Sequence, residues 1–393
     1  MKAMKWKFYS LAFVAGMSIL TACSSDDNND NDGNGGNGNG NEIENGTILK
    51  GTITSDVTLA AGNTYKLSGE YIVEEGATLH IEEGVKIIAV YDDIADYILV
   101  KQGGKINAVG TPDKPIVMTS EKEEPGAWGG IHICGRAHTN AEGGKGSSEI
   151  GGAVYGGNDD ADNSGTLQYI RLEYTGFAFD EEHEANGISF YGVGNGTIVD
   201  HCQAYKGSDD GFEFLGGSVN VSNLVAVSCS DDSFDWTEGW NGKGTNLVAY
   251  QEDKSTLGYD CDCLMECDNN GSNNAATPVA HPVLKNLILV GNGGSKQGIR
   301  LRAGTEVEID NAKVCGKGQP LTVETALTEN ALKNGTSKLT NITLTSELSS
   351  KEGIYTHADF IAVTSNKVDA NLSYSSFEDI RKECSWMNGS WVK

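Results

Sequence analysis

A seven-residue acidic motif occurs twice in the sequence and is the feature that points most directly to chemistry. Residues 208–214 read Ser-Asp-Asp-Gly-Phe-Glu-Phe, and residues 230–236 read Ser-Asp-Asp-Ser-Phe-Asp-Trp, an offset of 22 residues. If each copy belongs to one coil of a stacked structure, equivalent carboxylates lie about 4.8 Å apart. Carboxylates that close repel one another, so the motif predicts protonated acids, a bound cation or side chains turned into water.

The repeated acids support three interpretations, and the sequence leaves all three open. In the first, one carboxylic acid protonates the leaving oxygen of a glycosidic bond and another carboxylate activates water. In the second, the carboxylates hold calcium, which takes roughly six to eight oxygen ligands. In the third, the aspartates only bond the backbone of turns, where Asp and Gly are frequent. The candidate calcium ligands are Asp209, Asp210, Asp231 and Asp232. The candidate catalytic residues are these four aspartates and Arg300.

Five further side chains, within the motif or after it in the chain, are candidates for contact with a ligand. Two are acids at equivalent positions of the two copies, two are tryptophans that could stack on sugar rings, and one is an arginine. They are Glu213, Asp235, Trp236, Trp240 and Arg302. The Asp pairs and the Arg-Leu-Arg segment at 300–302 resemble in part the polygalacturonase-type β-helix hydrolases. The Gly-His-Gly of that family is absent here, and His201 falls at a different point of the coil.

The elements that position these residues are visible as repeats. Segments with one pattern of alternating apolar residues recur at intervals of 22 to 40 residues, and they begin at Tyr169, His201, Asn223, Asn246, Asn286, Asn311 and Asn341. Alternation with period two, repeated in columns, predicts stacked parallel strands. The recurring asparagines predict an internal ladder of amides at a turn, in which each amide satisfies its neighbour's backbone.

A second column of short strands carries the acidic motif. Its segments begin at Gly187, Gly211, Ser233 and Gly298. The alternation predicts that Phe212 and Phe234 point into a core, in line with Ile188. Glu213 and Asp235 then point outward. Because the columns repeat in register, the pattern favours a solenoid over an ordinary sandwich.

Three further segments carry a family resemblance. Residues 110–119 read GTPDKPIVMT, residues 128–133 read WGGIHI, and residues 156–174 contain GGNDDADNSG followed by a strand. With these segments the chain resembles the pectin-lyase-like β-helix superfamily, and more narrowly a group of exported β-helix lipoproteins with no firmly established activity. The resemblance implies an all-β fold, a right-handed parallel β-helix, and it implies little about chemistry.

The first 46 residues read as a targeting segment and a tether. Residues 1–22 have a positive start and a short apolar stretch, and Leu-Thr-Ala-Cys at 20–23 resembles a lipobox whose cysteine is acylated. We therefore expect a signal peptide over 1–22 and lipidation of Cys23. The Asp-, Asn- and Gly-rich residues that follow predict a disordered tether over 23–46. The expected location is the outer membrane, at the cell surface, with a periplasm-facing orientation as the alternative.

The domain boundaries and the net charge of the chain limit the functions that we expect. We expect the β-helix over 47–317 and its last coil with a C-terminal cap over 318–393, because a solenoid end exposes sheet edges and core. The formal net charge of −26 argues against nucleic acid as a partner, since phosphates need Lys and Arg. The leading interpretation is a cell-envelope lipoprotein that binds extracellular glycan or another surface ligand through the acidic residues. The alternatives are a polysaccharide hydrolase or lyase, and a structural or adhesive surface protein.

Overall fold

The computed structural model describes residues 41–92, 94–179, 183–294 and 296–393. Twenty-five strands of this part form one sheet in which neighbouring coils pair in parallel, and β11 and β12 form a separate antiparallel pair. In chain order the strands are β1 (Asn41–Ile43), β2 (Ile48–Ile53), β3 (Val57–Leu59), β4 (Thr64–Val73), β5 (Thr78–Ile81), β6 (Lys86–Ala89), β7 (Tyr97–Val100), β8 (Lys105–Val109), β9 (Ile116–Ser120), β10 (Ile131–Cys134), β11 (Gly146–Ser147), β12 (Val154–Tyr155), β13 (Gly165–Glu173) and β14 (Ile188–Tyr191).

The second half of the solenoid follows the same plan. Its strands are β15 (Ile198–Tyr205), β16 (Phe212–Leu215), β17 (Asn220–Val227), β18 (Phe234–Thr237), β19 (Lys243–Tyr250), β20 (Met265–Cys267), β21 (Val283–Val290), β22 (Gln297–Leu301), β23 (Glu308–Cys315), β24 (Gln319–Val323), β25 (Lys338–Leu344), β26 (Ser349–Ser350) and β27 (Lys367–Val368). The α-helices are α1 (Lys254–Leu257), α2 (Ala326–Asn334), α3 (His357–Ala362) and α4 (Phe377–Glu383), and two short 3-10 turns span Glu142–Gly144 and Ser385–Met387.

Each coil contributes to three faces of the solenoid. The first face consists of short strands that pair in the order β7, β10, β14, β16, β18, β20, β22, β24. The longer strands of the other series bend in the middle: β13 pairs with β8 before its bend and with β9 after it. We call the half before the bend the second face and the half after it the third face. This arrangement is the parallel β-helix that the sequence predicts.

The bend explains the recurring asparagines. Asn223, Asn246, Asn286 and Asn311 all have φ between 55° and 62°. Asn tolerates this left-handed conformation better than most residues do. The predicted ladder forms, but not as an internal one. The amide of Asn246 donates to Asn223 at 2.8 Å and that of Asn286 to Asn246 at 3.0 Å. The amides thus bond to one another along an outer corner, and the prediction that they satisfy backbone inside the coil is wrong.

The inward column of the first face forms as predicted. Ile188 pairs in register with Phe212, and Phe212 with Phe234. The Phe212 and Phe234 rings stack with centroids 5.6 Å apart and planes within 13°. All three side chains are buried in the core. Because alternation is strict along a strand, burial of Phe212 fixes Glu213 on the outer side of the coil.

The predicted N-terminal boundary of the solenoid needs correction. Strand β1 pairs with β3, so the solenoid begins inside the segment predicted to be a disordered tether to residue 46. At the other end, strands β24 to β27 lie in the segment 318–393, where the last coil was predicted. The predicted signal peptide, Cys23 and the tether up to residue 40 lie outside the described residues. In the part that the structure describes, no helix is long and apolar enough to cross a membrane.

The C-terminal segment only partly acts as a cap. Helix α2 lies between β24 and β25, and α3 buries Phe360 in the core near the last coils. The final residues instead run back along the outer side of the third face. There Trp391 is fully buried in a cluster that includes Val225 and Val248. This tail covers the outer side of the third face. Other loops cover part of the outer side of the first face.

Candidate functional site

The outer side of the first face is covered by loops over its N-terminal coils. The segment around β11 and β12 places Ile150 and Tyr155 against outward residues of the face, including Tyr191 and Leu215. Tyr155 and Tyr191 have ring centroids 5.2 Å apart. This cover is apolar, so it packs like a second small core. It ends at the coils of β16 and β18, where the outward residues become acidic.

An acidic cleft of about 290 Å³ opens at that boundary, and its lining combines residues of the strands, turns and loops. The lining residues are Glu149, Glu184, Asn186, Asp209, Asp210, Glu213, Asp231 and Asp235. Among the described residues, no lysine or arginine lines it. The structure therefore brings together most of the predicted acids. The sequence did not predict Glu149 and Glu184, because they lie in loops outside the repeat and carry no register signal. Asn186 was also not predicted, although it stands two residues before Ile188 as Asp210 stands before Phe212.

The two aspartates of each motif copy do different things. The second aspartate turns its side chain along the coil axis and accepts a hydrogen bond from the backbone of the next coil. The Asp232 N–H donates to Asp210 Oδ1 at 2.9 Å, and the Cys263 N–H donates to Asp232 Oδ1 at 2.6 Å. Asn186 begins this ladder by accepting from the Asp210 N–H at 3.1 Å. For Asp210 and Asp232, the interpretation as turn residues is therefore supported.

The first aspartate of each copy instead faces the cleft. Asp209 is half-buried and Asp231 is exposed, and both line the cavity. No hydrogen bond to the backbone of a neighbouring coil from either carboxylate is found within the described residues. In each copy of the motif, the second aspartate thus holds the backbone of the next coil, and the first aspartate faces the cleft.

This division of roles predicts opposite effects of neighbouring substitutions. Asp232→Ala is expected to lower the free energy of unfolding by about 1–3 kcal/mol, because it leaves the buried Cys263 N–H without an acceptor. Asp232→Asn keeps an acceptor and should cost clearly less. Asp231→Ala should cost nothing, since it removes an exposed charge from a repulsive group. Denaturant unfolding of the three variants measures this, and an equal loss for Asp231→Ala and Asp232→Ala would contradict the assignment.

The electrostatics of the cleft reflect crowding of like charges. Burial, and then the nearby Asp231 and Glu184 carboxylates, raise the pKa of Asp209 to about 8. Burial, and then Asp262 and Glu266, raise the pKa of Asp231 to about 6. Burial also raises the pKa of Glu213 and of Asp235 well above the ordinary range. The free protein therefore keeps protons on part of this group at neutral pH.

The oxygen atoms are close enough to share a cation. One oxygen from each of Asp209, Asp210 and Asp231 lies within 4.8 Å of the others, and the same holds for Asp210, Glu213 and Asp235. Asp235 Oδ1 is buried and has no hydrogen-bond partner in the part of the chain that the structure describes. A buried, unpaired carboxylate oxygen is costly unless something compensates it. The residues present fit calcium, which prefers carboxylate and amide oxygens.

A third group of potential ligands does not fit calcium. It comprises Asp232, Asp262 and Cys263. Asp232 already holds the backbone of Cys263, and Asp262 forms an ion pair with Lys296. The soft thiol of Cys263 is a poor partner for a hard cation. The candidate calcium site is therefore confined to the cleft.

Two arginine predictions need correction. Arg300 pairs in register with Glu266, which itself pairs with Asp235, so Arg300 lies two coils, or about 10 Å, beyond the cleft acids. Its guanidinium donates to Glu266 at 2.8 Å and contacts Glu324. Arg302 donates to Asp268 at 2.7 Å and also pairs with Glu266. Both arginines pair with acids of the next coils. Burial raises the pKa of Asp235 and the nearby Arg302 lowers it, but the structure brings neither arginine to Asp209 or Asp231.

The two tryptophan predictions are wrong. Trp236 and Trp240 are each 1% exposed, so neither indole can stack on a ligand. Trp236 continues the inward column, because it occupies the same side of β18 as Phe234. Trp240 stacks on Phe214 with centroids 4.2 Å apart. The core of the solenoid is aromatic at these coils, and both indole rings are buried in it.

Comparisons with known proteins agree with this architecture. The stacked coils and their parallel faces define the chain as a parallel β-helix protein. Residues 51–392 match the family model described as pectate-lyase like beta helix domain, and the chain belongs to that family. No curated protein matches the sequence.

One solved structure is also similar, the crystal structure of Dettilon tailspike protein (gp208). The match has 8% sequence identity and a TM-score of 0.30, and it covers 76% of this chain and 56% of that chain. The chain therefore spans little more than half of the tailspike chain. At this level the similarity carries no argument about function.

Proposed function

We propose that the acidic cleft binds a calcium ion and that the domain uses this site to bind an extracellular glycan. The observation that carries the proposal is Asp235 Oδ1, a buried carboxylate oxygen that has no hydrogen-bond partner among the described residues. It belongs to a cleft whose described lining has no cationic side chain. A cation there satisfies that oxygen and removes the repulsion among the neighbouring acids.

The ligands in this proposal come from both copies of the motif. Asp209, Asp231, Glu213 and Asp235 direct oxygens to the cleft, and Asp210 lies within reach of both groups. A calcium ion held there would supply positive charge and open coordination positions that accept hydroxyl or carboxylate oxygens of a glycan. Calcium suits the site because it tolerates irregular geometry and many oxygen ligands.

The proposed setting is the cell envelope. The lipobox-like sequence before Cys23 supports a lipid anchor in the outer membrane, and the acidic, polar residues after it support a tether. A tethered solenoid at the cell surface would meet extracellular polysaccharide. The strong negative charge of the chain makes nucleic acid an unsuitable partner.

A second candidate, glycoside hydrolysis, is favoured by one specific observation. The pKa of Asp209 is raised to about 8 and that of Asp231 to about 6. Near neutral pH, Asp209 is then a protonated acid beside an ionised carboxylate, which is the pairing that a glycosidase requires. The same acids cannot also hold calcium in the free enzyme without losing that proton, so the two candidates are mutually exclusive at this site.

A glycan array and a product assay separate these candidates. Purified full-length protein is applied to neutral and acidic polysaccharides with calcium or with a chelator, and soluble products are followed by chromatography. The proposal predicts saturable, calcium-dependent retention without products, which Asp235→Asn removes. Products that disappear in Asp209→Asn and do not need calcium would establish the hydrolase instead. An absence of both retention and products would refute the proposal and leave a structural role.

A further inference from the structure

A second pocket, polar and about 720 Å³ in volume, has no part in the calcium proposal. It lies between the turn near residue 140, the end of β18 and the loop around 270–273. Its lining combines amides, hydroxyls and small residues, among them Asn140, Thr237, Glu238, Asn270, Ser272 and Asn273. Among the described residues, no lysine or arginine lines it.

The walls of this pocket are held firmly. The Asn140 amide donates to Asn269 Oδ1 at 2.8 Å and to the Pro278 carbonyl at 3.0 Å. Its oxygen accepts from the Asn270 amide at 3.0 Å. Glu238 Oε2 accepts from the hydroxyls of Thr139 at 2.7 Å and Tyr155 at 2.8 Å. Loops far apart in the chain are thereby fixed around one space, which lowers the entropy cost of binding there.

Several groups in the lining remain free for a ligand. Thr237 Oγ1, Ser272 Oγ and Asn273 Nδ2 have no hydrogen-bond partner within the described residues, and each belongs to a residue lining the pocket. Two hydroxyls and an amide can form hydrogen bonds with the hydroxyl groups of a sugar. This combination fits a hydroxyl-rich neutral ligand.

The pocket and the cleft share one strand. Asp235 lines the cleft and Thr237 lines the pocket, and both occupy outward positions of β18. Two residues along a strand span about 6.6 Å. That distance is comparable to one sugar residue, so the spacing fits one oligosaccharide that contacts both residues.

We infer that this pocket binds neutral sugar residues of the glycan, so that the ligand class is a neutral rather than a uronic-acid polysaccharide. The inference rests on the proposed glycan binding and goes further by naming the ligand class and its second contact surface. The charge supports it: Glu142 and Glu238 are the ionisable residues of the lining, and both repel a uronate. The chain as a whole has a net charge of −26.

Isothermal titration of the full chain with defined oligosaccharides tests the inference. The probes are cellohexaose, xylohexaose, mannohexaose and hexagalacturonate, each with and without calcium. Thr237→Val and Ser272→Ala are combined in one variant, which removes two hydroxyls with little change in volume. Thr364→Val, at an exposed position outside both sites, is the matched control.

The expected result is binding of at least one neutral hexasaccharide, weakened at least tenfold in the double variant and unchanged in the control. Melting and the calcium response of the double variant should equal those of wild type. Preference for hexagalacturonate, equal affinity of the double variant, or no binding of any probe would overturn the inference. A calcium response that persists in those cases leaves the cleft's cation site intact, so the two failures are distinguishable.

Discussion

Replacing Phe212 by Asp is expected to abolish the cooperative fold. The ring is fully buried and stacks on Phe234 in the inward column of the first face. Removing a buried aromatic side chain costs about 3–5 kcal/mol. A buried carboxylate without a partner adds a further penalty of several kcal/mol. Together these losses approach the roughly 5–15 kcal/mol that stabilises a typical domain. Circular dichroism and thermal melting measure the effect.

Glu213→Gln is the matched control, one residue along the same strand. Its side chain points outward into the cleft, where like charges surround it. The variant should melt at the wild-type temperature or above it, because burial and the neighbouring acids disfavour a charge at this position and Gln keeps an acceptor for Asn186. If both variants unfold, or if neither does, the inward and outward assignment of this strand is wrong.

The double variant Asp209→Asn, Asp231→Asn is expected to melt at a higher temperature than wild type in the absence of metal. The gain should grow with pH. The pKa of Asp209 rises from 3.8 to about 8 on folding, so the folded protein binds more protons than the unfolded chain between these values. Wild-type stability therefore falls as pH rises through this window. Because the asparagine amides do not ionise in this range, the stability of the variant should not fall with pH in this way.

Melting curves at about pH 5 and about pH 8, with a chelator present, measure this second effect. Glu347→Gln, an exposed acid outside the cleft, is the control and should change melting little at either pH. A double variant that melts below wild type at both pH values would mean that the first aspartates also hold the turns. That result would extend the structural role of Asp210 and Asp232 to the whole motif.

The register of the first face could be predicted because the physics is local and repeated. Strand alternation separates Phe212 from Glu213, and the 22-residue offset aligns Phe212 with Phe234. From the same offset we predicted that the acids of the two motif copies lie side by side on neighbouring coils. In a stacked solenoid, the repeat offset alone is enough to align equivalent residues.

The different roles of Asp209 and Asp210 could not be predicted in the same way. Two adjacent aspartates look alike in the sequence, and only the direction of the turn decides which side chain reaches the next coil. Glu149 and Glu184 could not be placed at the cleft for a related reason, since loops inserted between repeats have no register. The burial of Trp240 was not predicted because the ring it stacks on, Phe214, is distant in sequence.

The C-terminal tail illustrates a third limit. Apolar residues after the last coil predict that something is covered, but not which surface. The outward valines of the third face, such as Val225 and Val248, are the surface that Trp391 covers. A strand with apolar residues on both sides is the sequence signal for such a cover. It is visible in Leu-Val-Ala-Val at 224–227, and it could have indicated the tail's position.

Calcium titration followed by thermal melting tests directly whether the acidic cleft binds calcium. Binding to the folded state stabilises it by RT ln(1 + [L]/Kd), about 2.7 kcal/mol at a hundredfold excess of calcium over Kd. For a domain of this size, that corresponds to a rise on the order of a few degrees. We predict a saturable rise in melting temperature for wild type and none for the double variant Asp209→Asn, Asp231→Asn. A flat titration of wild type, or an equal rise in both proteins, would contradict a calcium site in the acidic cleft.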